Sequence, residues 1–331
     1  MHVYFQRLKI NIFLIFLLCS TFLEGCGNFF STKAPLNATG FYFDTVISVT
    51  LYYPASEEIL NQCMELASYY ENMLSPNIEG SDIWNINHSF GKPVSVNADT
   101  LTVLTTALSY AQISDGMVDP SIGILSSLWN FGSDNQEIIP SQQSIVQALA
   151  HVNYKSIVIN GSQVTLTDPE AQIDLGFIAK GFIGDKMKEY LSSKGITSAL
   201  INLGGNVVTL GNRPDGTPFR IGIQKPFSNA GVTALTLDLS DISVVSSGNY
   251  ERYFEKDGKL YHHILSTSTG YPAESGLSQV TILSPHSIDG DALSTLCFVL
   301  GYEKAALLLE SYPDIKAVFI TEDGDILYVN F

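Results

Sequence analysis

Apolar and polar positions alternate with period two over Thr45–Tyr53, a stretch rich in β-branched and aromatic residues, so it reads as a strand. The period then changes. Ile59, Cys63, Leu66 and Tyr70 recur at helical spacing over Ser56–Asn72. Asp99–Ser114 reads as a second helix with Asp99 or Asn97 as N-cap, ended by an Asp115-Gly116 turn. Ser141–Ala150 is a short helix. Tyr154–Ile159 and Gln163–Leu166 form a hairpin around Asn160-Gly161, a dipeptide suited to a type I′ turn. Ile178–Lys194 is a helix closed by Gly195. Ala199–Leu203 is a buried strand running into Gly204-Gly205-Asn206. Phe219–Gln224, Ala234–Leu239, Ile242–Ser246, Tyr261–Leu265 and Gln279–Leu283 are further strands. Helices Asp291–Leu300 and Glu303–Tyr312 precede a closing pair, Ala317–Thr321 and Ile326–Asn330. Without strict βαβ alternation, the pattern predicts an α+β fold.

The first residues follow another logic. Arg7 and Lys9 precede an apolar run from Ile10 to Phe22, too short to span a membrane and laid out as a secretory signal. It ends at Leu23-Glu24-Gly25-Cys26. That pattern predicts a lipoprotein: cleavage before Cys26, then acylation of its thiol and amine. An ordinary signal peptide or an uncleaved anchor is the other reading. The expected organisation is a signal peptide over 1–25, a lipidated tether over 26–38 and one globular domain over 39–331. No second apolar run and no repeat interrupts that domain.

Net charge is −16, which makes nucleic acid and anionic lipid poor partners. Of four cysteines, Cys19 leaves with the signal and Cys26 is acylated. Cys63 and Cys297 sit in apolar helical patterns and read as core, not as a disulfide or a metal site.

Candidate chemistry concentrates in two segments. IDLGFIAKGF places Asp174, Gly176, Lys180 and Gly181 at a strand-to-helix junction. Its glycines would let backbone approach a ligand, and the amides opening the helix would meet an anion. DALST places Asp291 and Thr295 on one helical face. Carboxylate, hydroxyl and backbone oxygen suit a hard cation such as Mg²⁺. Either segment alone also fits a polar loop or an ordinary helix N-terminus. The Walker A spacing is absent. Asp115-Gly-Met-Val-Asp119-Pro120 adds two carboxylates after a helix. Trp129 and Phe131 read as core. Tyr250-Glu-Arg-Tyr253 reads as a solvated strand face. Of His262 and His263, which point to opposite faces of a strand, one is expected to be surface decoration.

In order, the segments DTVISVTLY, LSPNIEGSDIWNIN, DGMVDPSIG, IDLGFIAKGF, ALINLGGN, IGIQKP, SSGNYERYF, HHILSTSTGYP and DALST resemble the FAD:protein FMN transferases, the ApbE-type flavin transferases. The resemblance runs from about Phe43 to the C-terminus. It implies a single domain of mixed, mainly antiparallel sheets with packed helices. It also implies Mg²⁺-dependent transfer of FMN from FAD to a Thr or Ser hydroxyl of a target protein, with release of AMP. Hydrolysis of FAD to FMN and AMP, or flavin binding without chemistry, are the alternatives. By position, Asp291, Thr295 and the Phe177 carbonyl would hold the metal. Phe43, Asn77, Met117, Val118, Asp119, Asp174, Lys180 and Thr269 would line the flavin nucleotide. His263 or Asp119 would take the acceptor's proton, His263 being preferred because an ordinary imidazole titrates near neutrality. The implied acceptor is a subunit of a membrane redox complex or a protein with an FMN-binding domain. The implied location is the bacterial cell envelope, lipid-anchored on the extracytoplasmic side.

The chain departs from that family's pattern at four places. Phe43-Asp44-Thr45 replaces Met-Gly-Thr, Asn77 replaces an aromatic, Phe177 replaces a small residue, and Ser266-Thr267-Ser268 replaces a charged segment before Thr269-Gly270.

Overall fold

The computed structural model describes residues 34–132 and 137–331. Its backbone is an eight-stranded sheet. The strand order is β1 (Leu36–Tyr42), β2 (Thr45–Leu51), β6 (Ser198–Leu203), β7 (Asn206–Gly211), β10 (Ser243–Gly248), β13 (Leu277–Ser284), β14 (Lys316–Thr321), β15 (Ile326–Val329). Every neighbouring pair in it is antiparallel. The predicted α+β class is the one observed.

Side-chain alternation divides the sheet between two cores. Ile47, Val49, Ile201, Leu203, Val280 and Ile282 face the main core, which they share with α1 (Glu57–Leu74), α6 (Ala179–Ser193) and α7 (Ser287–Leu300). Leu200, Val207, Val244 and Leu283 face the other way, onto Phe219 and Ile221 of the hairpin β8–β9 (Phe219–Gln224, Thr233–Leu239). Each aliphatic side chain fully buried in this way contributes about 1.5–3 kcal/mol. A separate satellite core joins α4 (Gly123–Trp129) and α5 (Gln142–Leu149) to the hairpin β11–β12 (Tyr253–Lys256, Lys259–His262). There Trp129 stacks on Phe131 and Tyr261, and Phe254 stacks on both of those rings.

Several expectations are corrected. From Pro35 onward the chain forms one unit, and Leu36–Ala38 already pair with Val49–Leu51, so residues 36–38 belong to the folded domain and not to the expected tether. Asn160 pairs with Gln163, which leaves Gly161 and Ser162 as the turn residues. Only Gly161 of the two has positive φ, as a type II′ turn requires. The helix carrying Asp291 starts at Ser287, one turn earlier than its apolar pattern shows. Neither histidine is surface decoration: His262 is buried, and His263, half-buried, lies just past the end of β12. Cys63 and Cys297 are buried free thiols, and burial pushes both up to about 12. Cys26 and the signal segment lie outside the described residues. No helix among the described residues is long and apolar enough to cross a membrane.

Candidate functional site

The site grows from the crossing of α6 and α7. A Cβ on Gly181 would lie 2.3 Å from the Ser287 carbonyl oxygen and 2.7 Å from the Asp291 Cβ, so only glycine permits this approach. The glycine predicted to admit a ligand therefore admits a helix. Close approach brings the Gly181 N–H to Asp291 Oδ2 at 2.8 Å. The buried Asn206 side chain, at the start of β7, donates to Asp291 Oδ1 at 2.9 Å. Lys180 Nζ stands 3.9 Å from the same oxygen and 3.4 Å from the Gly176 carbonyl. The opening of α7 is fixed by Asp185 of α6, whose carboxylate accepts from the Ser287 and Ile288 N–H groups at 2.7 and 2.9 Å. Burial raises the Asp185 carboxyl above its ordinary range, and those two donors pull it back.

These bonds also test the expected ligands. Capture of the Gly181 N–H by Asp291 takes it from the Phe177 carbonyl, its partner four residues back in a regular helix. Among the described residues no other backbone N–H is bonded to that carbonyl. It therefore keeps its lone pairs free of backbone donors. Thr295 is one turn along α7 from Asp291 and half-buried, with its hydroxyl 3.1 Å from Ser247 Oγ of β10. One carboxylate with unused lone pairs, one hydroxyl and one free carbonyl fit a Mg²⁺-type ion. No cluster of three or more His, Cys, Asp or Glu among the described residues is placed to hold a metal, so such an ion would rest on this mixed oxygen set. Of the amides expected to cradle an anion at the start of α6, Ile178 and Ala179 donate to the Leu175 carbonyl and Gly181 to Asp291, so these three are already occupied.

A second group of segments converges on the DGMVD loop. Asp119 is buried, and its carboxylate accepts from the Ser121 N–H and hydroxyl at 2.8 and 2.6 Å and from the Tyr154 N–H at 2.8 Å. Burial raises its carboxyl, and these donors oppose the shift. Asp119 is thus a clamp for its own loop, not the free base considered from sequence. The Asp174 N–H donates to the Pro120 carbonyl at 2.9 Å, and Asp174 Oδ1 accepts from Gly176 N–H at 2.7 Å. Thr267 donates to the Gly116 carbonyl at 2.7 Å, which brings in the Thr269 loop. Met117 is half-buried and Val118 buried.

His263 and Glu251 complete the electrostatics. The His263 N–H donates to the Arg252 carbonyl at 3.1 Å, while the buried ring Nδ1 has no partner. Burial pushes this imidazole down to about 3, with His262, Arg252 and Lys180 adding to the shift. Proximity to an ordinary neutral pKa therefore does not select it; its ring is uncharged at neutral pH. Glu251 is exposed, yet protein packs close around its carboxyl. Desolvation there pushes it up to about 7, opposed by Lys180 and Arg252 and reinforced by Asp291.

The structure thus joins Asp291 and Lys180, with Thr295 one turn along the same helix and the Phe177 carbonyl hydrogen-bonded to none of them, and separately joins Asp119, Asp174 and the Thr269 loop. Phe43 sits in the β1–β2 turn, its N–H donating to Glu71 of α1 at 2.6 Å. Asn77 is exposed after α1 and bonded locally to Ser75 Oγ. Neither is hydrogen-bonded to the other candidates. Sequence reasoning missed Asn206, Ser247, Glu251 and Thr267 as site residues. The runs GGN and SSGNYER were visible, but nothing in a linear pattern says that a turn Asn faces a helix carboxylate.

Known proteins share this arrangement of elements. Residues 43–319 match the ApbE family. A relative named FAD:protein FMN transferase from Klebsiella pneumoniae (strain 342) is 37% identical over 278 residues, covering 83% of this chain and 86% of the relative. Another of that name, from Treponema pallidum (strain Nichols), is 36% identical over 288 residues, covering 82% and 79%. The ApbE protein of Thermotoga maritima MSB8 superposes with a TM-score of 0.81 at 30% identity, over 89% of this chain and 97% of that one. The flavin transferase ApbE of Vibrio cholerae gives 0.80 at 26%, over 89% and 97%. With the fold and the sequence match in agreement, this chain belongs to the ApbE family.

Proposed function

We propose that this chain is an FAD:protein FMN transferase, an enzyme that moves FMN from FAD onto a hydroxyl of a target protein and releases AMP. The single observation that carries the reading is the Asp291 carboxylate, held by Gly181 and Asn206 with Lys180 at 3.9 Å. It is a pre-built oxygen site beside a lone ammonium, which suits a metal-bound pyrophosphate.

In the reaction an acceptor Thr or Ser oxygen attacks the FMN-side phosphorus. The P–O bond to the AMP phosphate breaks, AMP leaves with the bridging oxygen, and the hydroxyl proton passes to a base. His263 is uncharged with its ring Nδ1 unpartnered, so it can accept that proton, although Arg252 and Lys180 lower its proton affinity. Negative charge from a bound pyrophosphate would raise its proton affinity. Asp291, Thr295 and the Phe177 carbonyl would hold Mg²⁺, whose chemistry is charge neutralisation on the phosphates. Lys180 adds a fixed positive charge, and Asp174, Met117, Val118 and Thr269 orient the nucleotide.

The acceptor belongs to the same proposal: a membrane redox subunit or a protein with an FMN-binding domain. So does the address, an acyl chain on Cys26 holding the domain on the extracytoplasmic side of a bacterial membrane.

The test incubates the chain with FAD, Mg²⁺ and a candidate acceptor domain, then reads in-gel flavin fluorescence and intact mass. An acceptor heavier by one FMN, with AMP released and the label abolished by Thr295→Val, is the expected result. Free FMN and AMP without labelled protein would make the enzyme an FAD pyrophosphatase. Intact FAD with Mg²⁺ present would leave a flavin binder.

A further inference from the structure

Residues 266–271 form a loop closed on itself between β12 and β13. The Ser266 N–H donates to the Tyr271 carbonyl and the Gly270 N–H to the Ser266 carbonyl, both at 2.8 Å, and Leu265 bridges Pro272. Inside it Ser266 Oγ accepts the Ser268 N–H at 3.3 Å and lies 2.9 Å from Ser268 Oγ. Two bonds then fasten the closed loop to different parts of the protein. Trp129 Nε1–H donates to the Gly270 carbonyl at 2.7 Å, tying the loop to the satellite core. The Thr267 hydroxyl donates to the Gly116 carbonyl, also at 2.7 Å, across 151 residues of sequence. Gly116 opens the segment that carries Met117, Val118 and Asp119, and that segment is itself immobilised through Ser121, Tyr154 and Asp174.

Thr267 is therefore the side chain that couples the rigid DGMVD loop to the loop presenting Thr269. Thr269 is exposed, and its Oγ1 accepts from the Tyr271 N–H at 3.3 Å, which leaves the hydroxyl hydrogen for a ligand. We infer that Thr267 is a positioning residue that sets the separation of the two loops and, through it, the affinity for FAD. The inference rests on the flavin nucleotide lying between these loops, as the proposed function has it. It gives the uncharged Ser-Thr-Ser segment a role of its own: its middle residue makes a neutral hydrogen bond to a backbone carbonyl.

Two substitutions isolate the hydroxyl. Thr267→Val keeps shape and removes the donor; Thr267→Ser keeps the donor and removes a methyl. FAD affinity is read by flavin fluorescence, and KM and kcat by FMN transfer or AMP release. The expected result for Thr267→Val is a Kd and KM for FAD raised about five- to tenfold, the worth of one hydrogen bond, with kcat within about twofold of the parent. Thr267→Ser should recover to within about twofold. Parental FAD affinity in Thr267→Val overturns the inference, as does Thr267→Ser behaving like Thr267→Val, which would assign the effect to methyl packing. A fall in kcat at unchanged KM also overturns it. An unsubstituted protein that does not bind FAD would overturn the flavin reading itself, a result the parent shows before any variant is compared.

Discussion

The backbone N–H of Gly181 and the carboxylate of Asp291 are joined by a 2.8 Å hydrogen bond between two helices that touch backbone to backbone. Asp291 receives a second donor, Asn206, on its other oxygen. An Asn at position 291 would turn its own NH₂ toward one of these donors. Asp291→Asn should therefore lose about 1–3 kcal/mol of stability along with any cation binding. Thr295→Val should weaken Mn²⁺ binding, measured by calorimetry, while shifting Tm by no more than the ~2–4 °C that 1 kcal/mol gives in a large domain. Equal Tm losses in the two variants would argue against this division of labour.

Gly181→Ala meets backbone, not a flexible side chain, at 2.3 Å. α6 and α7 must separate to admit the methyl group. A loss at the upper end of the ~1–3 kcal/mol typical of overpacking is expected, read as a lower urea midpoint at unchanged m-value.

The two histidines set a pH dependence of stability. Burial pushes His262 down to about 4 and His263 down to about 3, whereas both titrate near 6.5 when unfolded. As pH falls below that value the unfolded chain takes up protons the native state refuses, so stability drops between about pH 6.5 and pH 3. Urea midpoints at pH 7 and pH 5 should show the drop, and His262→Gln should reduce it. A midpoint independent of pH over that span would contradict the burial of these rings.

Glu251 works in the other direction and on binding. Held near 7 by desolvation and acting on Lys180, it gains negative charge as pH rises through neutrality. That charge offsets the lysine and repels a phosphate ligand. The KM for FAD should rise from pH 6 to pH 8 in the parent protein and stay level in Glu251→Gln. A parallel rise in both would remove Glu251 from the ligand's surroundings.

Most of the scaffold could be read from periodicity, because burial imposes it: Cys63 and Tyr70 on α1, Val280 and Ile282 on β13 and the αL glycine after α6 all follow local rules. The approach of Lys180 to Asp291, at 3.9 Å, was legible because residue type marked both segments as polar and suited to the same chemistry. Asp119 was misread as a free carboxylate because its three donors come from Ser121 and Tyr154, the latter 35 residues away. His263 was judged by an ordinary pKa that its burial abolishes. Asn206 and Thr267 act across 85 and 151 residues of chain, and contacts of that range have no period to betray them.

The chain passes from one hydrophobic core to the other between Ile264, in the main core, and Leu265, in the satellite. The proposed site straddles that boundary, with Asp291 and Thr295 on the main core and the 266–271 loop tied to the satellite one. Two bodies of unequal size need not open together. Amides of residues 265–272 should exchange with deuterium through openings of lower free energy than those of α7. The nucleotide would then leave by a breath of the smaller body, and the half that grips the phosphates would stay shut between turnovers.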